Sequence, residues 1–485
     1  MDISYEIERL ILFGYHKDLI TTGDIVPIRN ALLAFFKIKE PFSGTAAREY
    51  LITADVILEL LLDYIFENNI ISEGDSTYQR ELAAAQIMGF LTPRQSEVIH
   101  TFNYKYSVSP QNATEYLYTL SKNISYVKID KALKNRSWVA SVPYGKLELT
   151  YSLSDNTLVD TQTTVREIST YPKCRLCLEN VGFHGSQNRR VIPLRLNDEE
   201  WFLDYSPYIS YNEHCYIINK YHKPLELHEK TFASMLSFIN KFSHYMIGAN
   251  TGFEHGHFQS GHHSFPIEYA STLAVFQHNA FPYVNARIIK WPISTIRLES
   301  ENKKQLADAA SYLLDAWQNY SDIQTGIFPK SKEGKTCHNT IISVARRSKI
   351  GTYEMDIFLV NRFFQPLENV HHIFEKELDL NNCMGLLVLP LKLKKVTKEI
   401  AKILSGERDY RNLSNLENYR EWIKYLTNEY GIDSSNALAH EILEQELGIL
   451  FANVLESCGV YKLSTDGIAN FKKFLAGLGF IEEVI

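Results

Sequence analysis

The chain has 485 residues, of which 45% are hydrophobic and 22% are charged, and its formal net charge is −7. This is the composition of a globular protein large enough for two or three domains, and the acidic balance disfavours a nucleic-acid partner. The most hydrophobic window, residues 54–66, contains Asp55, Glu59 and Asp63, so it is too short and too charged to span a membrane.

The amino terminus and the cysteine content both indicate a cytoplasmic protein. The start, MDISYEIERL, is acidic where a secretory signal would be basic. Six cysteines in a chain of this length do not make a disulfide framework, which favours a reducing compartment. The pair in CRLC, residues 174–177, then needs another explanation.

The first 140 residues have the periodicity of helices. Pro110 and Asn112 are start signals for one of them. Apolar residues recur at helical spacing over residues 4–20, 26–38, 54–71 and 109–127. The sequence therefore predicts a helical N-terminal region.

Strands are predicted after residue 140. Residues 146–153 alternate apolar and polar side chains, the mark of a half-buried strand. The turn pair Asn197-Asp198 separates residues 190–196 from 200–206, which together read as a hairpin. Further strands are predicted over residues 214–222, 286–299 and 353–362.

Helices are predicted again further along the chain. Apolar residues recur at spacings of three and four residues over 230–248. Residues 391–404 have an amphipathic pattern with a lysine-rich, solvent-exposed face. The last hundred residues read as mainly helical. We expect three segments: a helical N-terminal region, 1–140; an α+β catalytic body, 141–400; and a helical C-terminal region, 401–485.

The CRLC pair allows several kinds of chemistry. Cys174 and Cys177 have a spacing that can bind one Zn²⁺, serve redox reactions or place two buried thiols with no further role. Pro172 before the pair and Gly182 after it suit a loop better than the helix start of a redox motif. A structural zinc site would need two more ligands, which downstream imidazoles can supply.

The segment HGHFQ, residues 255–259, places three polar side chains at alternate positions. In an extended segment His255, His257 and Gln259 share one face. Histidine can act as a covalent nucleophile or a metal ligand, and glutamine can donate to a phosphoryl oxygen. The alternative is a set of ordinary polar residues in a surface loop, to which we assign the nearby His262 and His263.

Three motifs in fixed order change this interpretation. They are YPKCRLCLENVGFHG (171–185), YSPYISYNEHCYIIN (205–219) and HGHFQSGHHSFPIE (255–268). With further blocks at 85–102, 287–298, 338–347 and 383–394, the chain resembles the second class of UDP-glucose–hexose-1-phosphate uridylyltransferases, of the histidine-triad superfamily. The resemblance covers most of the chain.

The resemblance implies an α+β fold with a mainly antiparallel sheet packed by helices. It implies a nucleotidyltransferase of galactose metabolism that moves UMP between UDP-glucose and galactose 1-phosphate, with His257 as the covalent nucleophile and Gln259 holding the transferred phosphoryl group. Such a reaction consists of two in-line displacements. Related enzymes are often dimers, so a homodimer is an expected state.

The resemblance also implies a structural zinc ion and no organic cofactor. In the better-known class of the family, zinc ligands occupy the positions of Cys174, Cys177, His222 and His255. Four protein ligands leave no open position on the metal. The ion would tie the strand of the nucleophile to the CRLC loop.

Further residues match substrate positions less specifically. Asn250 corresponds to a nucleotide contact, or else caps a helix ending near Gly248. The candidates for a wall around the uracil and ribose are Tyr205, Ser206 and Tyr208, and those for the hexose phosphate are His338, Asn339 and Arg346.

The chain departs from the family pattern around the candidate nucleophile. Only residues 251–254 separate Asn250 from His255, where the family carries a longer segment rich in Gly and Ser that contacts the phosphates. Glu254 would repel a phosphate unless it points away. Two further differences are Gly256 in place of Asp and Ser260 in place of a Gly, and residues 366–380 are shortened.

Two other functions fit these departures. One is a nucleotide-sugar hydrolase or a transferase with another acceptor, because a shorter loop can admit water. The other is a catalytically weak paralogue stabilised by zinc. Retention of both His257 and Gln259 favours an enzyme over a scaffold.

Overall fold

The computed structural model describes residues 2–129, 135–151, 171–249, 251–331, 333–334, 336–364, 378–409, 411, 413–432 and 435–483. Within these residues, six α-helices come first along the chain, and strands and further helices follow in mixed order. The helices are α1 Ile3–His16, α2 Ile25–Phe35, α3 Asp55–Glu67, α4 Thr77–Gly89, α5 Gln95–Val108, α6 Pro110–Asn123, α7 Glu229–Lys241, α8 Lys303–Asn319, α9 Leu380–Met384, α10 Leu391–Leu404, α11 Arg420–Tyr430, α12 Asn436–Cys458 and α13 Thr465–Gly477.

The strands are short and mostly antiparallel to their neighbours. They are β1 Arg136–Val142, β2 Gly145–Tyr151, β3 Ile192–Leu196, β4 Glu199–Tyr205, β5 Cys215–Asn219, β6 Met246–Ala249, β7 His257–Gly261, β8 Thr272–His278, β9 Asn285–Ile289, β10 Thr295–Ser300, β11 Asn339–Arg347, β12 Tyr353–Asn361, β13 Leu386–Leu389 and β14 Phe480–Glu482. The predicted α+β fold class, with antiparallel sheet and helices, is confirmed.

The chain divides into two compact units. The first contains the described residues of Met1–Lys134, Val159–Pro224 and Glu254–Gly261. It joins the helices α1–α6 to an antiparallel sheet in the order β3-β4-β5-β7. The candidate nucleophile and the CRLC loop both belong to this unit.

The second unit contains the described residues of Asn135–Leu158, Leu225–Phe253 and His262–Ile485. Its larger sheet has the order β14-β8-β9-β10-β12-β11-β6, and its smaller sheet has the order β1-β2-β13. Helices α7 and α8 pack on the larger sheet through buried residues such as Phe232, Leu313 and Trp317. Because the units interleave along the chain, they do not correspond to consecutive segments, and the division at residues 140 and 400 stays a prediction.

Local signals explain several elements. Ser109 caps α6 with its side chain and Pro110 occupies the first helical turn, as the start signals predict. Asn197 and Asp198 both have positive φ, 47° and 65°, which is the backbone of a tight two-residue hairpin between β3 and β4. The helices predicted at 4–20, 26–38, 54–71 and 109–127 and the amphipathic helix at 391–404 are confirmed.

Two predicted elements are wrong in extent. The helix predicted over 230–248 ends at Lys241, and Met246–Ala249 is a strand. The strand predicted over 286–299 is two strands, Asn285–Ile289 and Thr295–Ser300, that pair with each other on either side of a turn containing Pro292. No helix in the described ranges is both long and apolar enough to cross a membrane.

Candidate functional site

Strand β7 places His257 and Gln259 on one face of the sheet of the first unit. Gln259 lies opposite Tyr216 of β5, which in turn lies opposite Asp204 of β4. Directly opposed residues of an antiparallel pair point to the same face. The candidate nucleophile and Gln259 therefore share a face with Tyr216 and Asp204, as the alternation of HGHFQ predicts.

The imidazole of His257 is held in one orientation. Its Nδ1 lies 2.8 Å from the backbone carbonyl of His255, so Nδ1–H donates and the lone pair is on Nε2. The ring packs edge-on against Tyr216, with the ring centroids 5.4 Å apart. Burial lowers the pKa of His257, so the neutral, nucleophilic form is favoured at neutral pH.

Gln259 has unused hydrogen-bonding capacity. Its Oε1 is buried and has no hydrogen-bond partner within the described part of the chain. Buried polar atoms are nearly always paired in folded proteins. Oε1 can only accept a hydrogen bond, so an oxygen-rich ligand would be bound by the NH₂ of the same amide, which lies on the strand face of His257.

The four predicted metal ligands come together in the first unit. The candidate ligand atoms of Cys174, Cys177, His222 and His255 all lie within 4.8 Å of one another. Cys174 Sγ is 3.6 Å from Cys177 Sγ and 3.2 Å from His255 Nδ1, and Cys177 Sγ is 3.3 Å from His222 Nδ1. Two thiols and two imidazoles thus form a group that can hold a metal ion.

Four of the six distances between these atoms, 3.2–3.7 Å, are close to those of a tetrahedral zinc site, within a group no wider than 4.8 Å. Sulfur at about 2.3 Å and nitrogen at about 2.0 Å from Zn²⁺ place tetrahedral ligands about 3.3–3.8 Å apart. Burial and the neighbouring Cys177 sulfur raise the pKa of the Cys174 thiol to about 11, so a cation is needed to hold it as a thiolate. The donor set, two sulfurs and two nitrogens, is one that zinc prefers.

Asn219 helps to orient both candidate histidine ligands, His222 and His255. Its backbone carbonyl lies 2.9 Å from His255 Nε2, so Nε2–H donates and the lone pair lies on Nδ1, which faces the cysteines. Its side-chain Oδ1 accepts from the Tyr221 N–H at 2.9 Å and shapes the turn that carries His222. Asn219 was not among the predicted site residues, although an Asn three residues before a candidate ligand is a turn signal.

The CRLC loop is held by two further side chains that the sequence analysis also missed. Asn180 and Arg189 are both buried, and both donate to backbone carbonyls of residues 174–177. Their polar type within a short segment after a CxxC pair is a weak signal in the sequence. Only the structure shows that both side chains are buried and directed toward the loop carbonyls.

Tyr205, one of the residues predicted to form a wall around the nucleotide, lies on the sheet face opposite to that of Gln259. It faces Cys215 across the sheet, on the side opposite to Tyr216 and Gln259, and its hydroxyl donates to the Thr114 carbonyl at 2.9 Å. The hydroxyl of Ser206 donates to the Tyr208 carbonyl, and the Tyr208 hydroxyl donates to Glu81 at 3.1 Å. These contacts stabilise the fold, and the nucleotide role of the three residues stays a prediction.

The residues predicted to hold the hexose phosphate lie in the second unit. His338 packs against Phe363, and the Asn339 amide donates to the carbonyls of Trp317 and Tyr320. These contacts stabilise the second unit, and the substrate role of both residues stays a prediction. Asn250 lies outside the described residues, and Glu254 is exposed at the surface.

Arg346 belongs to a buried charge network on the larger sheet. Its Nη1 donates to Asp356 at 2.7 Å, its Nη2 lies 3.1 Å from a Glu354 carboxylate oxygen, and Asp356 also accepts from Arg297 at 2.6 Å. Both arginines and Asp356 are buried. The guanidinium of Arg346 is thus balanced inside the second unit, and its role toward a substrate stays a prediction.

We expect Asp356→Asn to lower the free energy of unfolding by about 3–5 kcal/mol, because it leaves two buried guanidinium groups without their shared carboxylate. Urea unfolding followed by far-UV circular dichroism measures the loss. Asp315→Asn, at an exposed position of α8, should change stability by about 0.5 kcal/mol or less. Equal losses in both variants would contradict a buried network at Asp356.

His214 is buried in the first unit, as His255 and His257 are. Its ring packs against Tyr211 and Tyr216. Neither ring nitrogen makes a well-formed hydrogen bond to a described residue. The Tyr208 carbonyl is near enough to favour the protonated ring, but this effect is smaller than that of burial. Burial, with a smaller contribution from the nearby His257, lowers its pKa to about 4. The folded chain therefore holds His214 neutral.

This burial predicts acid sensitivity. An unfolded histidine binds a proton near pH 6.5, so the unfolded state takes up more protons and stability falls as the pH drops from about 6.5 to about 4, by about 3 kcal/mol for this group. We expect the free energy of unfolding of His214→Leu to fall less over this pH range, because leucine takes up no proton on unfolding. Urea unfolding in the presence of a chelator, at about pH 7 and about pH 4.5, tests this. A parallel fall in both proteins would contradict it.

Comparison with known proteins agrees with this geometry. Residues 53–224 match the family model of the galactose-1-phosphate uridyl transferase N-terminal domain. A protein of Caldanaerobacter subterraneus named galactose-1-phosphate uridylyltransferase is 39% identical over 99% of this chain and 98% of its own. Proteins of the same name from Halalkalibacterium halodurans, 35% identical over 98% of this chain and 99% of its own, and Bacillus subtilis, 34% identical over 99% and 98%, match in the same way. At this identity, over nearly the whole length of both chains, the chain belongs to the galactose-1-phosphate uridylyltransferase family.

Proposed function

We propose that the protein transfers a uridylyl group from UDP-glucose to galactose 1-phosphate through a covalent intermediate on His257. The observation that carries this proposal is the buried imidazole of His257, with its proton on Nδ1 and its lone pair on Nε2, beside a glutamine on the same strand face. Membership of the uridylyltransferase family supports the choice of substrates.

The reaction consists of two balanced displacements. Nε2 attacks the α-phosphorus of UDP-glucose, a P–N bond forms, and the P–O bond to the β-phosphate breaks with release of glucose 1-phosphate. A phosphate oxygen of galactose 1-phosphate then attacks the same phosphorus, and the P–N bond breaks to give UDP-galactose. Imidazole is a competent nucleophile and a good leaving group at phosphorus, so one difficult exchange becomes two easier ones.

Gln259 has the position to bind the transferred phosphoryl group. Its amide lies on the face of His257, and an NH₂ donor directed at an oxygen that gains charge in the transition state contributes about 3 kcal/mol. The His255 carbonyl fixes the imidazole during both displacements because it keeps the Nδ1 proton in place.

We also propose that Cys174, Cys177, His222 and His255 bind a structural zinc ion. The ion supplies positive charge that holds the two thiolates, and four protein ligands leave no coordination position for substrate. His255 directly precedes the Gly256–His257 segment. A ligand two residues before the nucleophile would restrain the start of β7.

Trapping the intermediate tests the function. The protein is incubated with UDP-glucose alone, quenched in base, and digested for mass spectrometry. We expect a UMP adduct on His257 that disappears when galactose 1-phosphate is added, and no adduct in His257→Ala. An intact substrate with no adduct would reject the proposal, and glucose 1-phosphate release in the absence of acceptor would identify a hydrolase instead.

A further inference from the structure

The backbone carbonyls of the CRLC loop converge on two buried side chains. The Asn180 amide donates to the carbonyls of Cys174 at 2.7 Å, Arg175 at 3.2 Å and Cys177 at 3.0 Å. The Arg189 guanidinium donates to the carbonyls of Arg175 at 3.0 Å, Leu176 at 3.3 Å and Cys177 at 3.2 Å. Every carbonyl from Cys174 to Cys177 therefore has a side-chain donor, in a loop without regular secondary structure.

The charge of Arg189 is balanced inside the protein. Arg189 Nε donates to Asp204 Oδ2 at 2.9 Å, and its Nη2 lies 2.7 Å from the same oxygen. Both side chains are 3% exposed. A buried ion pair of this kind is costly to assemble and is a weak source of stability, so its presence calls for a reason other than the stability of the fold.

Asp204 connects the loop to the face of the candidate nucleophile. It lies directly opposite Tyr216, which lies directly opposite Gln259, so the three residues form one row across β4, β5 and β7. Through Asp204, the guanidinium of Arg189 ties the cysteine loop to the same sheet face that presents His257 and Gln259.

We propose that Arg189, assisted by Asn180, is a positioning residue that holds the Cys174–Cys177 loop in its metal-binding conformation before the metal arrives. This inference rests on the proposed zinc site but not on uridylyl transfer. A loop held in place loses little conformational freedom when it binds the ion, so its affinity is higher than that of a loose CxxC segment.

Arginine has properties that lysine lacks at this position. Its planar group carries several donors in fixed directions, and three loop carbonyls and one carboxylate use them at once. A lysine ammonium keeps the charge opposite Asp204 but cannot reach all of these acceptors. Loss of a residue that orients metal ligands typically lowers metal affinity by about 10–100-fold.

The neighbouring Arg190 offers a matched control. It also donates to backbone carbonyls, those of Pro93, Thr92, Gln187 and its neighbour Arg189, but to none in the described part of the CRLC loop. Arg189→Lys and Arg190→Lys therefore make the same chemical change one residue apart. Only the first change removes support from the loop.

The experiment measures zinc affinity by competition with a chromogenic chelator, using the full-length chain. The visible absorption of the Co²⁺-substituted protein reports the tetrahedral geometry of the site independently of activity. Circular dichroism of the metal-free proteins checks that each variant is folded. We expect Arg189→Lys to weaken zinc binding by about tenfold or more and to weaken the Co²⁺ bands, whereas Arg190→Lys binds zinc within about twofold of the original chain.

Several outcomes would overturn the inference. They are unchanged affinity in Arg189→Lys, an equal loss in Arg190→Lys, and no zinc binding by the original chain. If Arg189→Lys does not fold, Asn180→Ser carries the same test, since it removes the amide that contacts three loop carbonyls without disturbing the ion pair, and unchanged affinity there counts equally against the inference. A chain that binds zinc but transfers no UMP would reject the proposed function and leave this inference standing.

Discussion

Replacing His257 by alanine should lower the rate of UDP-galactose formation on the order of 10⁴-fold or more, because the covalent route then has no nucleophile. The fold should persist, since the change removes one ring from the end of a short strand and leaves the backbone contact between Asn219 and Gly256 in place. Steady-state kinetics with both substrates measures kcat and KM. The loss should fall on kcat, with UDP-glucose affinity within a few fold of the original chain.

Two further variants give rates with which the loss in His257→Ala can be compared. Gln259→Ala should reduce kcat by about 10²-fold, because only one donor to the phosphoryl oxygens is removed. His16→Ala, at an exposed position of α1, should leave kcat unchanged. If Gln259→Ala lowered the rate as much as His257→Ala, or if His257→Ala retained appreciable transfer, the assignment of the nucleophile would be wrong.

The candidate site could be predicted largely because its chemistry is concentrated in short motifs. HGHFQ lies on a strand with period two, so alternation alone predicts that His257 and Gln259 share a face. The four metal ligands come from three separated segments. Their meeting followed only from the family resemblance, because no local pattern relates Cys174 to His222.

The residues that support the ligands could not be predicted in the same way. Asn180, Arg189 and Asn219 act through backbone carbonyls, and such contacts depend on how a loop folds rather than on residue spacing. Arg346 shows how much the strand register adds to the sequence, although its role toward a substrate stays a prediction. Its partner Asp356 lies ten residues along on the adjacent strand, and without the strand register the arginine reads as a free cation available to a phosphate.

The end of helix α7 was predicted too late in the sequence for a similar physical reason. Residues 230–248 keep apolar residues at helical intervals, yet α7 ends at Lys241. Every residue of the strand Met246–Ala249 is buried, so it shows no alternation and its apolar run prolongs the helical pattern. Strands buried on both faces cannot be distinguished from buried helix by periodicity alone.

Removal of zinc should destabilise the protein by several kcal/mol, because the ion would cross-link the CRLC loop, the turn after β5 and the residue that leads into β7. A ligand that binds only the folded state stabilises it by about 4 kcal/mol when its free concentration is a thousandfold above the dissociation constant. Thermal unfolding with added zinc and with a strong chelator measures the difference. The chelated protein should melt at a clearly lower temperature.

A pair of cysteine variants shows whether the effect arises at this site. Cys177 and Cys215 are both buried, but only Cys177 belongs to the metal cluster, and Cys215 faces Tyr205 and Ser260 within the sheet. Serine at either position introduces a hydroxyl in place of a buried thiol, so both variants lose some stability. Only Cys177→Ser should also lose the response to zinc and chelator, whereas Cys215→Ser should keep it. A response that survives in Cys177→Ser would place the metal elsewhere in the chain, and His255 would then no longer restrain the nucleophile through a bound ion.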